Sequence, residues 1–364
     1  MQKEFHYYAT YCAAYLAGYT HDDCLQIAHS AALVDFCSED YLAELSAPAT
    51  AATTQLQLEM VDMKTDWFGR TRITEIWSSF HFLPGNLYAE PGKGGRRYKD
   101  KYRLICDVNS DLLVKTVELA RGESLQAVGM AMHILADTWA HRYFAGTPSL
   151  VINNVNYNFY ERVPEGEGTV ERLVTFRHNP KAKDDPERSI YTNTIYRSSE
   201  NSVMNLGHGR AGHLPDYGYA VYRYLPAWAD YREVVKKNPE DFHHAFCQMV
   251  YALKCLRTQG KTFEKDTYDR ESVEPYTEEI CSILNHRSLE ADLGWKEMGE
   301  RLSGQTLPDF SPSMWRDEYL KAGQGDKEQT VLGRFFRAAI RQKEMVVGEI
   351  KASGNRILKT KKRR

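Results

Sequence analysis

Three residues with metal-ligand chemistry recur at a helical spacing: His133, Asp137 and His141. Imidazole nitrogens and carboxylate oxygens are donors that zinc accepts. On a helix, each step of four residues advances about 6 Å and turns about 40°. His133 and Asp137 can therefore aim at one point, whereas His133 and His141 stand about 12 Å apart along the axis. Zinc–nitrogen bonds of about 2.0–2.1 Å are too short for both imidazoles to serve one ion without strain. The spacing points instead to more than one ion, with Asp137 offering one oxygen to each. Ions about 3.5–4 Å apart are spaced to hold a phosphoryl group between them. The plainer alternative is a set of side chains that simply hydrogen-bond one another. Three such groups at the margin of one apolar face weigh against it, because each needs a partner once it leaves water.

A second cluster lies in residues 207–216, where His208, His213 and Asp216 are again nitrogen and oxygen donors. Its glycines allow the backbone to approach a bound anion closely. Alone this cluster is weak, and it gains weight beside the first. Arg142 and Arg210 sit next to the two clusters, where either guanidinium could fork onto a phosphate. A surface ion pair is the other role open to each.

The elements that must carry these residues read as helices. Leu125, Val128, Met132, Leu135 and Trp139 form an apolar stripe, so the spacing predicts a helix over 124–145, stopped by Gly146 and Pro148. A first helix is expected over 5–17, followed by Gly18. A second, capped by Thr20 with Asp22 and Asp23 in its first turn, fades at Ser38. Residues 45–58 read as a loose connection, 84–103 as a long exposed loop, and 107–120 as a helix. Residues 148–205 mix short apolar runs with Asn, Pro and charge, and read as an irregular insertion with a β-hairpin. After Tyr217 the helical pattern returns, clearest over 240–258, 275–302 and 328–358. The expected architecture is all-α with this irregular or small β insertion. A metal-binding helical domain spans 1–230 with the insertion at about 148–205. A helical segment over 231–358 packs on it, in the same domain or a second one. Residues 359–364 form a basic tail.

Composition narrows the function. The chain has 364 residues, and 47 Lys and Arg against 49 Asp and Glu leave a net charge of -2. The global positive field of a generic nucleic-acid binder is missing. A hydrophobic fraction of 42% suffices for a core and excludes a disordered chain. No apolar run reaches the roughly 18 residues of a membrane-crossing helix. The first residues lack the basic-then-apolar order of a secretory leader, so a cytoplasmic location is expected. The cysteines (12, 24, 37, 106, 247, 255 and 281) are scattered without a Cys-x-x-Cys pair, and are expected to be reduced and mostly buried.

With His133-x-x-x-Asp137 on a helix, a further His141 and a later His-rich helix start, the sequence resembles the zinc-dependent phospholipase C/P1 nuclease superfamily. Segments 5–8 and 133–146 are similar to an uncharacterised bacterial branch of it. The match covers separate patches rather than the whole chain. The resemblance implies an all-α helical bundle that holds two or three zinc ions and hydrolyses phosphoesters. It assigns His6, Asp35, His81, His133, Asp137, His141 and His208 as metal ligands. The pattern's last ligand is a Glu four residues after His208, where this chain has Gly212. Asp216 or His213 would have to replace it. Secreted members also use the amine and carbonyl of an N-terminal Trp, and a chain beginning Met1-Gln2 is expected to lack that pair.

The function expected from these residues is phosphoester hydrolysis by zinc or another divalent ion, through a metal-activated water. Asp35 and Asp137 would orient that water, and Arg142 and Arg210 would bind the substrate phosphate. The substrate would be a small phosphoester, a nucleotide or a nucleic acid. A nuclease acting on single strands is one alternative, with Tyr157, Phe159, Tyr160, Tyr191 and Tyr196 stacking bases. A non-catalytic helical protein with a structural metal is the other. His29, His178, His243, His244 and His286 lack a comparable setting and read as ordinary.

Overall fold

The computed structural model describes residues 1–55, 67–153, 158–177, 182–193, 207–289, 292–323 and 325–358. Short polar side chains start the helices that carry the ligand-type residues. Thr20 accepts a hydrogen bond from the amide of Asp23 and begins α2 (His21–Leu33), just after α1 (Thr10–Leu16) and the π-helical turn Phe5–Ala9 that precedes it. Three further helices are α3 (Glu39–Glu44), α4 (Trp67–Phe80) and α5 (Arg96–Tyr102). Ser110 caps α6 (Asp111–Leu119), and Ser124 caps α7 (Leu125–Ala140). After the one-turn α8 (Leu150–Asn153) come strands β1 (Tyr160–Glu165), β2 (Gly168–Leu173), β3 (Thr175–Arg177), β4 (Ile190–Thr192), β5 (Val221–Tyr224) and β6 (Val234–Lys237). The chain then returns to helices α9 (Asn238–Arg257), α10 (Thr277–Asn285), α11 (Asp292–Ser303), α12 (Arg316–Lys321) and α13 (Val331–Ala352).

Helix α7 is the hub. It packs against α2, α9 and α13, and residues 128–140 are almost all buried. Gly129 sets its distance from α2, because a Cβ there would stand 2.2 Å from the Ile27 carbonyl oxygen and 2.9 Å from Ser30 Cβ. Only a residue without a side chain lets the two helices approach this closely.

The expectation of an all-α fold is overturned. About 51% of the chain is helical, and it is accompanied by a four-stranded antiparallel sheet in the order β2-β1-β5-β6 and a two-stranded parallel pair, β3 with β4. The β1–β2 hairpin does fall in the segment read as an insertion, but β1 also pairs with β5, Tyr160 opposite Arg223. Strand β5 pairs in turn with β6, so the sheet continues past residue 205 and spans the boundary expected at 230. The reason lies in the 221–237 stretch. Tyr222 and Tyr224 are buried while their neighbours are half-exposed, which is the period-two pattern of a strand. A second aromatic core, with Phe82, Phe144, Phe159, Tyr191, Tyr222 and Tyr224, fills the space beneath the sheet, separate from the main helical core. Two other differences are local. Residues 96–102 form α5 within the stretch expected to be loop, and α4, unmarked by the sequence pattern, leads directly into His81. No helix among the described residues is long and apolar enough to cross a membrane.

Two glycine substitutions test the packing of the hub. Gly129→Ala should destabilise the protein by about 1–3 kcal/mol, the usual cost of overpacking a core. Gly348→Ala, in α13 and facing open space, should stabilise by about 0.5–1 kcal/mol. Chemical unfolding midpoints measure both, and equal midpoints for the two variants would contradict the close helix crossing.

Candidate metal centre

The local backbone explains why distant donors meet. His6 lies in the π-helical turn, a widened geometry common at functional sites. Asp35 follows the end of α2, and His81 follows α4 directly. His133 and Asp137 are one turn apart on α7, and His141 ends that helix, its amide donating to the Asp137 carbonyl. His208 and Asp216 come from the connection between β4 and β5.

His6, His81, His133 and His141 converge on Asp137. Its Oδ1 is 3.1 Å from His6 Nε2, and its Oδ2 is 3.1 Å from both His133 Nε2 and His81 Nδ1. His81 Nδ1 and His133 Nε2 are 3.3 Å apart, with Asp35 Oδ1 3.7 and 3.9 Å from them. On the other side His141 Nε2 is 3.1 Å from Asp216 Oδ1, and His208 Nε2 is 3.5 Å from Asp216 Oδ2. Three sets of donors result: His6, His133 and Asp137; Asp35, His81 and His133; and His141, His208 and Asp216, each within 4.8 Å. Donors around a tetrahedral ion with bonds of about 2.0–2.1 Å stand about 3.3 Å apart, so the donor spacing suits a metal. His133 and His141 fall in different sets, as the helical spacing requires.

Hydrogen bonds on the outer ring nitrogens decide which nitrogens face inward. A carbonyl oxygen only accepts, so the nitrogen beside it carries the proton. His81 Nε2–H donates to the Thr53 carbonyl, His141 Nδ1–H to the His81 carbonyl and His208 Nδ1–H to the Gly212 carbonyl. In the neutral rings His81 Nδ1, His141 Nε2 and His208 Nε2 are then lone-pair donors aimed at the cluster.

The protonation states of most donors suit a cation, although burial raises the carboxyl pKa of Asp35. Burial lowers the pKa of His6, His133 and His141 to about 4, which leaves these imidazoles neutral at pH 7. His81 is held the other way: burial lowers its pKa, but Asp137 and Asp35 outweigh this and raise it. Burial alone would raise the carboxyl pKa of Asp137, but His141, the Met1 amino group, His133 and His6 hold it well below the usual range. Asp216 is held down in the same way by His208 and the Met1 amino group. Ionised carboxylates and neutral imidazoles are the forms that bind metals.

Several expectations need correction. His213 stays outside the donor sets, with its side chain 61% exposed and Nδ1 3.6 Å from Asp216 Oδ2. Asp216 groups with His141 and His208, in the donor set where the resemblance would place a Glu. Gly212 itself could not be that Glu, since its φ is +59° and a Cβ would meet the Thr192 carbonyl oxygen at 2.2 Å. The Met1 amino group stands beside the cluster as an ion-pair partner of its carboxylates. It lies 2.8 Å from Asp137 Oδ1, 3.2 Å from Asp216 Oδ1 and 3.4 Å from His141 Nε2. Burial lowers its pKa, but the carboxylates of Asp137, Asp216 and Asp35 outweigh this and raise it to about 11. Arg142 donates to Asp107 and lies over the Tyr143 ring, so its guanidinium is already engaged. Arg210 is buried on the connection that carries His208. The expected base-stacking slot is not formed by Phe159 and Tyr191, which are fully buried in the aromatic core, the Tyr191 hydroxyl donating to Glu161. Tyr160 is half-buried beneath the Arg223 guanidinium, and Tyr157, Tyr196 and His178 lie outside the described residues.

Two supports escaped the sequence reading because they act on backbone carbonyls. Buried Lys236, on β6, donates to the Trp139 carbonyl in the last turn of α7 and to Asp241. Asn238 Nδ2 lies 2.8–3.2 Å from the carbonyls of Leu214, Pro215 and Tyr217, fixing the turn that holds Asp216.

A family of unknown function (DUF6765) matches residues 1–350, and the chain belongs to that family. No curated protein and no solved structure matches it.

His29 gives a pH test away from the cluster. It is fully buried beside Trp315, donates to the Ser311 carbonyl, and burial lowers its pKa to about 4. The unfolded chain takes up this proton near pH 6.5 and the folded chain only near 4. Stability should therefore be lost as pH falls through that window, by about 3 kcal/mol from this residue. Urea midpoints at pH 7 and 4.5 check it: His29→Gln should lose part of the wild-type decline, and an unchanged decline would contradict the assignment.

Proposed function

For this member of the DUF6765 family we propose a zinc-dependent phosphoester hydrolase, built on the centre around Asp137. The observation that carries the reading is the convergence of His6, Asp35, His81, His133, Asp137, His141, His208 and Asp216, several with lone pairs turned inward by backbone carbonyls. A nitrogen and oxygen donor set without thiolate suits zinc, and the cysteines are absent from the donor sets. The resemblance to the phospholipase C/P1 nuclease superfamily supports the same chemistry through these donors. The mixed fold departs from that superfamily's all-α architecture.

Bound zinc would bring the pKa of a coordinated water from 15.7 towards about 7 and neutralise charge on phosphoryl oxygens. The chain's own residues supply the rest. His133 and Asp137 hold positions on a rigid, buried helix. Asp35, its side chain 32% exposed, sits where solvent reaches the donors, and can orient an incoming water through its carboxylate. Asp216 and His208 are also partly open, at 13% and 17%. A structural ion would be closed off by protein ligands on every side, and this edge argues for the catalytic reading over the structural one.

Elemental analysis of the purified protein, followed by hydrolysis of a chromogenic phosphodiester, tests the proposal. Zinc should be bound, chelation should stop turnover and zinc should restore it. Asp137→Asn should lower kcat/KM by at least about 100-fold, equivalent to losing roughly 3 kcal/mol of transition-state stabilisation. Absence of bound metal, or zinc with no turnover of phosphodiesters and phosphomonoesters, would overturn it.

A further inference from the structure

The loop over residues 50–53 touches both the metal centre and the C-terminal helix. Thr53 is fully buried, and its carbonyl accepts the Nε2–H of His81 at 3.1 Å. The Thr53 amide donates to Cys37 at 2.9 Å, and its hydroxyl donates to the Val34 carbonyl at 2.6 Å, one residue before Asp35. Asp35 and His81 belong to the same donor set, so this one residue braces two of its three members. The loop is held from the far side by Lys343 on α13. Its ammonium donates to the Thr50 carbonyl at 2.7 Å and the Ala52 carbonyl at 2.9 Å. Lys343 is close to 290 positions from that loop in sequence, and its own element contributes no donor to the cluster.

We propose that Lys343 is a positioning residue for the metal centre. Through the 50–53 loop it keeps the Thr53 carbonyl against His81, which presents His81 as an Nδ1 donor and fixes Asp35 beside it. This rests on the metal-binding reading above and adds to it a remote brace that acts on one donor set. The His141, His208 and Asp216 set is held by different partners, the His81 and Gly212 carbonyls and Asn238. Loss of Lys343 should therefore weaken the set of Asp35, His81 and His133 and spare that of His141, His208 and Asp216, which meets His81 only at its main-chain carbonyl. A residue that merely stabilised the fold would lower all sites together or none.

The test uses the full chain, zinc alone as the probe, and competition against a chromophoric chelator. Outer-sphere partners of metal ligands typically contribute 10–100-fold in affinity. Lys343→Met should weaken one class of bound zinc by at least about 10-fold and leave the remainder within error. Lys343→Arg, which keeps donors for the two carbonyls, should recover part of the loss. Thr53→Val, which removes the hydroxyl bond to Val34 but keeps the carbonyl, should give a smaller loss in the same class. Thermal unfolding with chelator present reports fold stability separately. Unchanged zinc affinity in Lys343→Met beside a zinc-binding wild type would overturn this inference alone, as would a uniform loss across all sites. A wild type that binds no zinc would overturn both this inference and the reading beneath it.

Discussion

The structure depends on the burial of one ionised carboxylate. Asp137 is 1% exposed and sits on a helix inside the core. A bare carboxylate in such a place is costly by far more than the net stability of a domain. It is tolerable only when positive charge and hydrogen-bond donors surround it. The chain surrounds it from several directions: the Met1 amino group and His6 at the start, His81 after α4, and His133 and His141 on α7 itself. A cation held among these donors satisfies the same requirement and adds a chemical use for it.

The sheet belongs to this arrangement. It carries no donor on its strands, yet it positions two. The aromatic core beneath it, where Phe144 and Phe159 both stack on Tyr224, anchors the connection that presents His208 and Asp216. Lys236 reaches from β6 to the carboxyl end of α7, where a cation offsets the helix dipole and the open carbonyls. Helical layer and sheet are thus joined at the helix that bears the buried charge. Phe82, next to His81, stacks on His141 and belongs to the aromatic core, so the seam between the two cores runs through the donors.

What could be read from the sequence follows from what period and residue type encode. The α7 stripe was visible, and so were the Thr20 cap and the aspartates after it, because local patterns determine them. His133, Asp137 and His141 were visible because helix geometry alone places them. Their convergence with His6, Asp35, His81 and His208 came from a resemblance, since no local pattern specifies a meeting of side chains so far apart. Strands β5 and β6 were missed because four-residue strands offer a short period, and β5 finds its partners on either side in the chain. The choice between Asp216 and His213 turned on a left-handed glycine at 212 and on Asn238 gathering three carbonyls. The braces at Thr53 and Lys236 act on main-chain carbonyls, which every residue has, so residue type gave no sign of them.

The zinc K-edge absorption spectrum of the metal-loaded protein examines the central claim most directly. The account predicts a first shell of nitrogen and oxygen at about 2.0–2.1 Å with no sulfur. A sulfur shell near 2.3 Å, or a spectrum of fully hydrated zinc, would contradict it.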